Sequence, residues 1–252
     1  MNIISNMINV LILIPLIIGW LAGLLVNYLS DVLPLTRRFS QPTCRNCGKK
    51  FQWGDYLLLK PCQDGHHRSP RTWFVQALVL GATIYIWLFP PRILGYWLGL
   101  ILLIYFFTIL VIDLEHRLIL HPTSLVGAFL GFGFGILLHG LIPTLIGGLA
   151  GFGIMFALYY LGILFTRYLS RRRGEPIEEE ALGFGDVNLG GILGLLLGWP
   201  LIWIGLLASI LIGGLASLIL IIGMLLSRKY QAFTAIPYAP FLILGTILLL
   251  YR

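Results

Sequence analysis

Two aspartates stand out because each is set directly against apolar sequence. Asp113 closes the run Leu110-Val-Ile-Asp-Leu-Glu-His-Arg117, and Asp186 opens another in Ala181-Leu-Gly-Phe-Gly-Asp-Val187. A carboxylate at the edge of a hydrocarbon-like segment is costly, and such groups commonly mark functional sites. Each alone also fits as a helix flank, and Asp186 stands where a helix N-terminus favours negative charge. The pair says more than either member. Two carboxylates brought close in a low-dielectric site share one proton, the state that activates water against a peptide carbonyl. Gly183 and Gly185 remove side chains beside Asp186 and leave room for another backbone to approach.

A second set of reactive side chains lies in residues 31–73. All three cysteines are there, as Cys44-Arg-Asn-Cys47 and Cys62, followed closely by His66 and His67. A Cys-x-x-Cys knuckle suggests zinc, which takes four tetrahedral ligands in structural sites. Three thiolates leave one place, and Cys62-x-x-x-His66 fills it; His66 is preferred narrowly over His67. The competing reading is ordinary free thiols, because a reducing cytosolic loop would not form a structural disulfide. A loop this small has little apolar core, so metal would supply much of its folding free energy. Its eight Lys and Arg also suit contact with anionic lipid headgroups.

The elements that position these groups follow from composition. Of 252 residues, 58% are hydrophobic and only 11% charged, with a mean hydropathy of +0.93. Soluble domains carry about 25% charged residues. The chain is therefore read as an all-α, polytopic integral membrane protein. The same arithmetic excludes a disordered chain, a secreted disulfide scaffold and a soluble nucleic-acid binder, despite a net charge of +7.

A bilayer core about 30 Å thick needs roughly 20 apolar residues per helix. Eight transmembrane segments are expected, at 3–29, 74–90, 93–112, 122–138, 141–165, 184–199, 201–226 and 233–250, the second and sixth being short. The first has no basic residue before Arg37 and is read as an anchor rather than a signal peptide. With the N-terminus outside, fifteen of the seventeen Lys and Arg fall on the cytosolic side, leaving only Arg92 and Arg252 outside. On this topology Asp113 and Asp186 share the inner boundary. The organisation expected is a first transmembrane helix over 1–30, a small cytosolic Cys-rich loop over 31–73, and a transmembrane catalytic region over 74–252. Glycines spaced by four, at Gly127, Gly131 and Gly135, Gly147 and Gly151, and Gly190, Gly194 and Gly198, imply close helix packing. The run Gly131-Phe-Gly-Phe-Gly135 lies within a span and does not qualify as a dinucleotide loop.

Gly183-Phe-Gly-Asp186 on one span, with Asp113 ending another, resembles the type IV prepilin peptidases, of the Gly-x-Gly-Asp class of intramembrane aspartyl proteases. Asp113-Leu-Glu-His-Arg-Leu-Ile-Leu-His-Pro122 is similar to that family's first aspartate motif. Ala235-Ile-Pro-Tyr-Ala-Pro-Phe241 resembles its Ile-Pro-Phe-Gly-Pro-Phe stretch, and Gly19-Trp-Leu-Ala-Gly23 with Asn27 and Leu33-Pro34 resembles its N-terminal one, although Leu24 stands where Ser is usual. The resemblance implies that Asp113 and Asp186 are catalytic, with Gly183 and Gly185 supporting the site. The implied substrate is a prepilin or a type II secretion pseudopilin, cut after a Gly at the cytosolic face of a prokaryotic inner membrane. It further implies methylation of the new N-terminus with S-adenosylmethionine. Three departures bear on these expectations. Gly65 replaces the second Cys of a second Cys-x-x-Cys pair, Gln76 lies near a position commonly acidic, and Asn188 stands where Lys is frequent.

Glu115, His116 and His121 lie near Asp113 but lack the His-Glu-x-x-His spacing of zinc proteases, and are read as interfacial or orienting groups. Two other classes compete with a peptidase: a proton- or ion-coupled transporter using the aspartates as a relay, and a non-catalytic scaffold docking assembly partners. A relay needs ionisable groups spread through the membrane depth, and no Asp, Glu, Lys or Arg lies near a span midpoint.

Overall fold

A computed structural model describes residues 2–173, 182–227 and 237–251, and side chains from residue 13 onward. Among them the protein is helical without strands. The helices are α1 (Asn2–Thr36), the short α2 (Trp53–Leu57), α3 (Pro70–Leu88), α4 (Gly95–His116), α5 (His121–His139), α6 (Leu141–Arg173), α7 (Phe184–Leu197), α8 (Leu201–Leu226) and α9 (Ala239–Leu250). Eight of these correspond to the eight expected segments. Six are long and apolar enough to cross a membrane, whereas α7 and α9 are shorter apolar helices. At 1.5 Å per residue, α7 is only about 21 Å long. The last segment, expected from residue 233, is helical from Ala239; residues 228–236 lie outside the described set. Two helices overrun their apolar cores: α1 continues to Thr36 and α6 to Arg173. Hydropathy marks the lipid-facing length of a helix, while backbone hydrogen bonding carries it on into polar sequence. Exposed Phe129, Leu137, Leu149, Leu207 and Leu215 are the surface of a multi-pass membrane protein, where lipid replaces water.

The chain divides into two units, residues 1–112 with Tyr251, and residues 113–250 with Arg252. In the first, α1 and α3 pack closely because glycines remove side chains at their contact. A Cβ on Gly23 would lie 2.7 Å from the Gln76 amide, and one on Gly19 would lie 2.9 Å from Leu80. Ala22, Val26, Val75, Val79, Leu100 and Leu103 fill the apolar core there.

In the second unit the short α7 is the most enclosed element, with Val187, Leu189, Leu193, Leu196 and Leu197 all buried. The glycine spacing explains how. Gly147 and Gly151 of α6 meet Gly194 and Gly190 of α7 backbone to backbone, and Gly131 of α5 faces the Ile192 carbonyl. Small residues at these contacts let helices approach until their main chains touch, which gains dispersion contacts that lipid cannot supply. A helix too short to span is in this way held by protein on several sides, and its N-terminus is fixed in place.

Candidate active site

Asp186 is the third residue of α7. Its carboxylate accepts a hydrogen bond from the Gly183 N–H at 3.2 Å, and its own N–H donates to the Gly183 carbonyl at 3.0 Å. This reciprocal pairing satisfies donors that a helix start leaves without partners. It also aims the carboxylate back along the Gly183-Phe-Gly185 turn. A Cβ on Gly185 would lie 2.8 Å from the Ile119 Cβ, so this glycine admits the α4–α5 connection. Among the described residues a Cβ on Gly183 would meet nothing closer than Asp186 Oδ2 at 3.5 Å, and the residue is exposed.

Asp113 lies in the last turn of α4 and is only 4% exposed. The backbone N–H of Ala239, first residue of α9, donates to its carboxylate, and Arg117 adds favourable charge. The Asp113 Oδ2 atom is buried with no hydrogen-bond partner among the described residues. Buried oxygens of native proteins are rarely left so. The charge of Asp113 acts on Asp186, and that of Asp186 reaches Tyr238. Three chain segments distant in sequence, at the end of α4 and the starts of α7 and α9, thus converge on one carboxylate pair.

Sequence reasoning singled out both aspartates but not the Ala239 N–H. The signal was the Pro237-Tyr-Ala-Pro240 stretch, whose prolines fix the backbone just before and within the start of α9. Ala235 and Ile236 of that motif lie outside the described residues. Glu115 and His116 pair with each other at 3.8 Å. Neither they nor His121 belongs to a metal-type cluster among the described residues. Asn188 lines a cavity of about 780 Å³ with His121, Ser124, Gly148 and Leu195, between α5, α6 and α7.

In the other unit, Cys44, Cys47, Cys62 and His66 bring one donor atom each to within 4.8 Å of the others. The Cys47 and Cys62 sulfurs are 3.8 Å apart, and the Cys62 sulfur lies 3.3 Å from His66 Nδ1. A tetrahedron with metal–sulfur bonds of about 2.3 Å has sulfur–sulfur edges of about 3.8 Å. The donor set therefore fits zinc in both chemistry and size. His67 is exposed and outside the cluster, so the structure selects His66. Local turns build the geometry: Gly48 and Gly65 take positive φ, Gly48 N–H returns to the Cys44 carbonyl, and Gly65 N–H to that of Cys62. Gly65, which breaks the expected second Cys pair, thus serves the turn that presents His66. Burial raises the Cys44 thiol, but backbone N–H groups of Cys47 and Asn46 and the neighbouring thiols outweigh this and bring it below the usual range. Cys47 is pushed up to about 11: the Lys49 N–H pulls the other way, but burial and hydrogen bonds with Cys44, Cys62 and Asp64 prevail.

Below the cysteines, polar side chains form a continuous chain along α1 and α3. Asp31 accepts from Arg71 at 2.9 Å, from Arg45 at 3.3 Å and from the Tyr56 hydroxyl at 2.7 Å. Arg71 also donates to Asn27, whose amide nitrogen reaches the Gly23 and Thr72 carbonyls and Gln76 Oε1. Gln76 completes the chain by donating to the Trp20 carbonyl at 2.8 Å. The Arg68 guanidinium lies 4.1 Å from the ring centres of both Phe51 and Tyr56.

Comparison with known proteins bears on the aspartate pair. Residues 98–218 match the model of the type IV leader peptidase family. Both aspartates fall inside that stretch. Over that stretch, just under half of its length, the chain is similar to the type IV leader peptidase family. Among curated relatives, the prepilin leader peptidase/N-methyltransferase of Aeromonas salmonicida (strain A449) is 33% identical over 144 residues, which is 56% of this chain and 44% of the relative. Similarly named proteins of Aeromonas hydrophila and Pseudomonas aeruginosa are each 32% identical, over 51% and 56% of this chain and 36% and 44% of theirs. The chain spans less than half the length of these curated relatives. No solved structure matches. The leader peptidase match begins within α4 and ends within α8, so the cysteine cluster lies outside it.

Proposed function

We propose that this protein is an aspartic endopeptidase of the membrane that removes the leader from prepilins or pseudopilins, with Asp113 and Asp186 as its catalytic pair. The carrying observation is that the charge of Asp113 acts on Asp186, 73 positions away in sequence, with both inside the family-matched stretch. In this mechanism the pair holds one proton. The charged member takes a proton from water as it attacks the scissile carbonyl, and the protonated member supplies a proton to the carbonyl oxygen. The first member then passes its proton to the departing amine while the second takes back a hydroxyl proton of the tetrahedral intermediate as the C–N bond breaks, so the pair again holds one proton. The Ala239 N–H holds Asp113 and the Gly183 N–H holds Asp186, so neither carboxylate must reorganise during the step. Gly183, exposed and without a side chain, leaves an extended peptide a way to the pair.

The charge bias of the basic loops supports a site at the cytosolic face, and the family likeness supports a prokaryotic inner membrane. The relatives' names include N-methyltransferase, and by that likeness the freed amine would accept a methyl group from S-adenosylmethionine. The Cys44, Cys47, Cys62 and His66 set would hold zinc and fix the fold of its loop.

Co-expression with a prepilin bearing a Gly–Phe junction, read by gel shift and mass spectrometry, tests both activities. Wild type is expected to shorten the prepilin and both Asp113→Asn and Asp186→Asn to leave it intact at matched expression. A mass gain of about 14 Da on the mature N-terminus, one methylene per transferred methyl, reports methylation. Cleavage that survives both substitutions refutes the dyad, and a native pilin left intact by wild type refutes the peptidase.

A further inference from the structure

The cysteine loop carries apolar side chains on its outside that its own core does not use. Phe39 is 80% exposed, Leu58 65% and Trp53 50%, and Leu57 is also exposed. Trp53 and Leu57 begin and end α2, four residues apart and so on one side of the helix. Tyr56, on another side, is buried against Phe51, Cys44 and Cys62. The α2 turn is therefore two-sided, with its inner side holding the cysteine cluster and its outer side left largely exposed.

Position along α1 places that outer side. The Trp53 ring lies 5.6 Å from the Tyr28 ring, and the Tyr28 hydroxyl donates to the Ser40 carbonyl. The loop thus folds back beside α1 about 12 Å before that helix ends at Thr36, counting eight residues of rise. Asn27, next to Tyr28, bonds the Thr72 carbonyl, which puts the exposed Trp73 and Phe74 of α3 at this level too. Aromatic side chains of this kind gather where hydrocarbon meets headgroups.

Charge names what covers the surface. The loop holds eight Lys and Arg against Asp31, Asp55 and Asp64. Those three carboxylates are already matched: Asp31 by Arg45 and Arg71, Asp64 by Lys49, Asp55 by Lys60. Arg37, Arg38 and Lys50 are exposed and face no carboxylate within ion-pair distance among the described residues. Lys50 is bridged to Thr43, and Gln41 bonds the Phe51 carbonyl, so the segment following Phe39 runs beside Lys50. Apolar side chains flanked by unmatched cations suit an anionic membrane surface, with methylenes in the acyl boundary and ammonium or guanidinium groups among phosphates.

We propose that the cysteine loop docks on the bilayer surface through Phe39, Trp53, Leu57 and Leu58, held by anionic lipid headgroups at Arg37, Arg38 and Lys50. The proposal does not depend on the peptidase reading. A docked loop is a fixed platform at the headgroup layer, and its occupancy then varies with the lipid.

The test uses the full chain with bound zinc in vesicles of phosphatidylcholine alone or mixed with phosphatidylglycerol, each doped with lipid brominated high on the acyl chain. Quenching assigned to Trp53 is the difference between wild type and Trp53→Phe. It is expected to be strong in the anionic vesicles, to weaken with added salt, and to fall in the combined Arg37→Gln, Arg38→Gln and Lys50→Gln variant. Each basic residue removed should lower docked occupancy about fivefold. Zinc content, measured on every variant, separates lost docking from a loop that has not folded. Absence of Trp53 quenching in both lipids for zinc-loaded wild type overturns the proposal. Equal quenching in both lipids that ignores the three substitutions overturns the headgroup contribution and with it the proposal. Quenching that follows anionic lipid and is lost in a zinc-loaded variant establishes it.

Discussion

The aspartate pair and the cysteine cluster are both polar islands in an apolar chain, and they are finished differently. Around the cysteines the carboxylates and amides are matched, although buried Ser30 Oγ and Arg68 Nε have no hydrogen-bond partner among the described residues. Four donors converge on one point, Asp31 takes three hydrogen bonds, and the Asn27–Gln76 pair accounts for its amides. Around the aspartates matching stops short. Asp186 takes one backbone N–H, and Asp113 keeps a buried oxygen with no partner among the described residues. A carboxylate whose partners are complete, such as Asp31, gains stability and has nothing left to offer a ligand. An unsaturated one holds binding capacity in reserve, at a cost the surrounding fold must offset. That difference separates the region that reads as structure from the region that reads as chemistry.

The comparison breaks most sharply at the aspartates. Asp113→Asn and Asp186→Asn should each reduce prepilin cleavage by about a thousandfold or more while leaving zinc content unchanged, since members of a catalytic unit fail together. Loss of zinc in either variant would show that the two regions are not independent. Next in size, Cys44→Ser should abolish zinc binding and unfold residues 40–66, read by metal analysis and amide exchange. Structural zinc in small knuckles is worth about 10–16 kcal/mol. Persistence of stoichiometric zinc in that variant would sink the Cys3His assignment.

A third prediction concerns the glycine contact that holds Asp186 in place. Gly190→Leu drives a side chain into Met155 and the Gly151 carbonyl, and should cost about 1–3 kcal/mol in a thermal melt in detergent. Because α7 carries Asp186 at its start, cleavage should fall with it. An unchanged melting temperature would mean that α6 and α7 do not meet at these glycines. The smallest expected effect is at Arg68→Met, which removes the cation between Phe51 and Tyr56 and should cost the loop about 0.5–2 kcal/mol. Faster amide exchange confined to residues 50–68 would show it.

How much was legible beforehand varies with the range of the forces involved. The Gly183-Phe-Gly-Asp186 turn and the Gly48 and Gly65 turns are built by near neighbours, so their residues could be named from spacing. His66 over His67 was a narrow choice in sequence, since both follow Cys62 closely, and the Gly65 turn decided it. The Ala239 N–H on Asp113 and the polar chain from Asp31 to Trp20 were not legible. Both depend on which helices become neighbours, and hydropathy treats one lipid-compatible helix like any other. Nor did composition distinguish α7, which resembles other spans in residue content but is encased by glycine contacts on α5 and α6.

The sequence by itself determined that this is a helical membrane protein, roughly where its eight apolar helices run, and which carboxylates and thiols stand apart from the rest. Those follow from the cost of placing polar atoms in hydrocarbon, paid residue by residue along the chain. Only the tertiary structure decided that α4, α7 and α9 meet at one carboxylate pair, and that Asp113 keeps an oxygen unmatched among the described residues there. Helix contacts in a membrane are set by shape and backbone approach rather than by hydrophobicity, and shape exists only once the helices have packed.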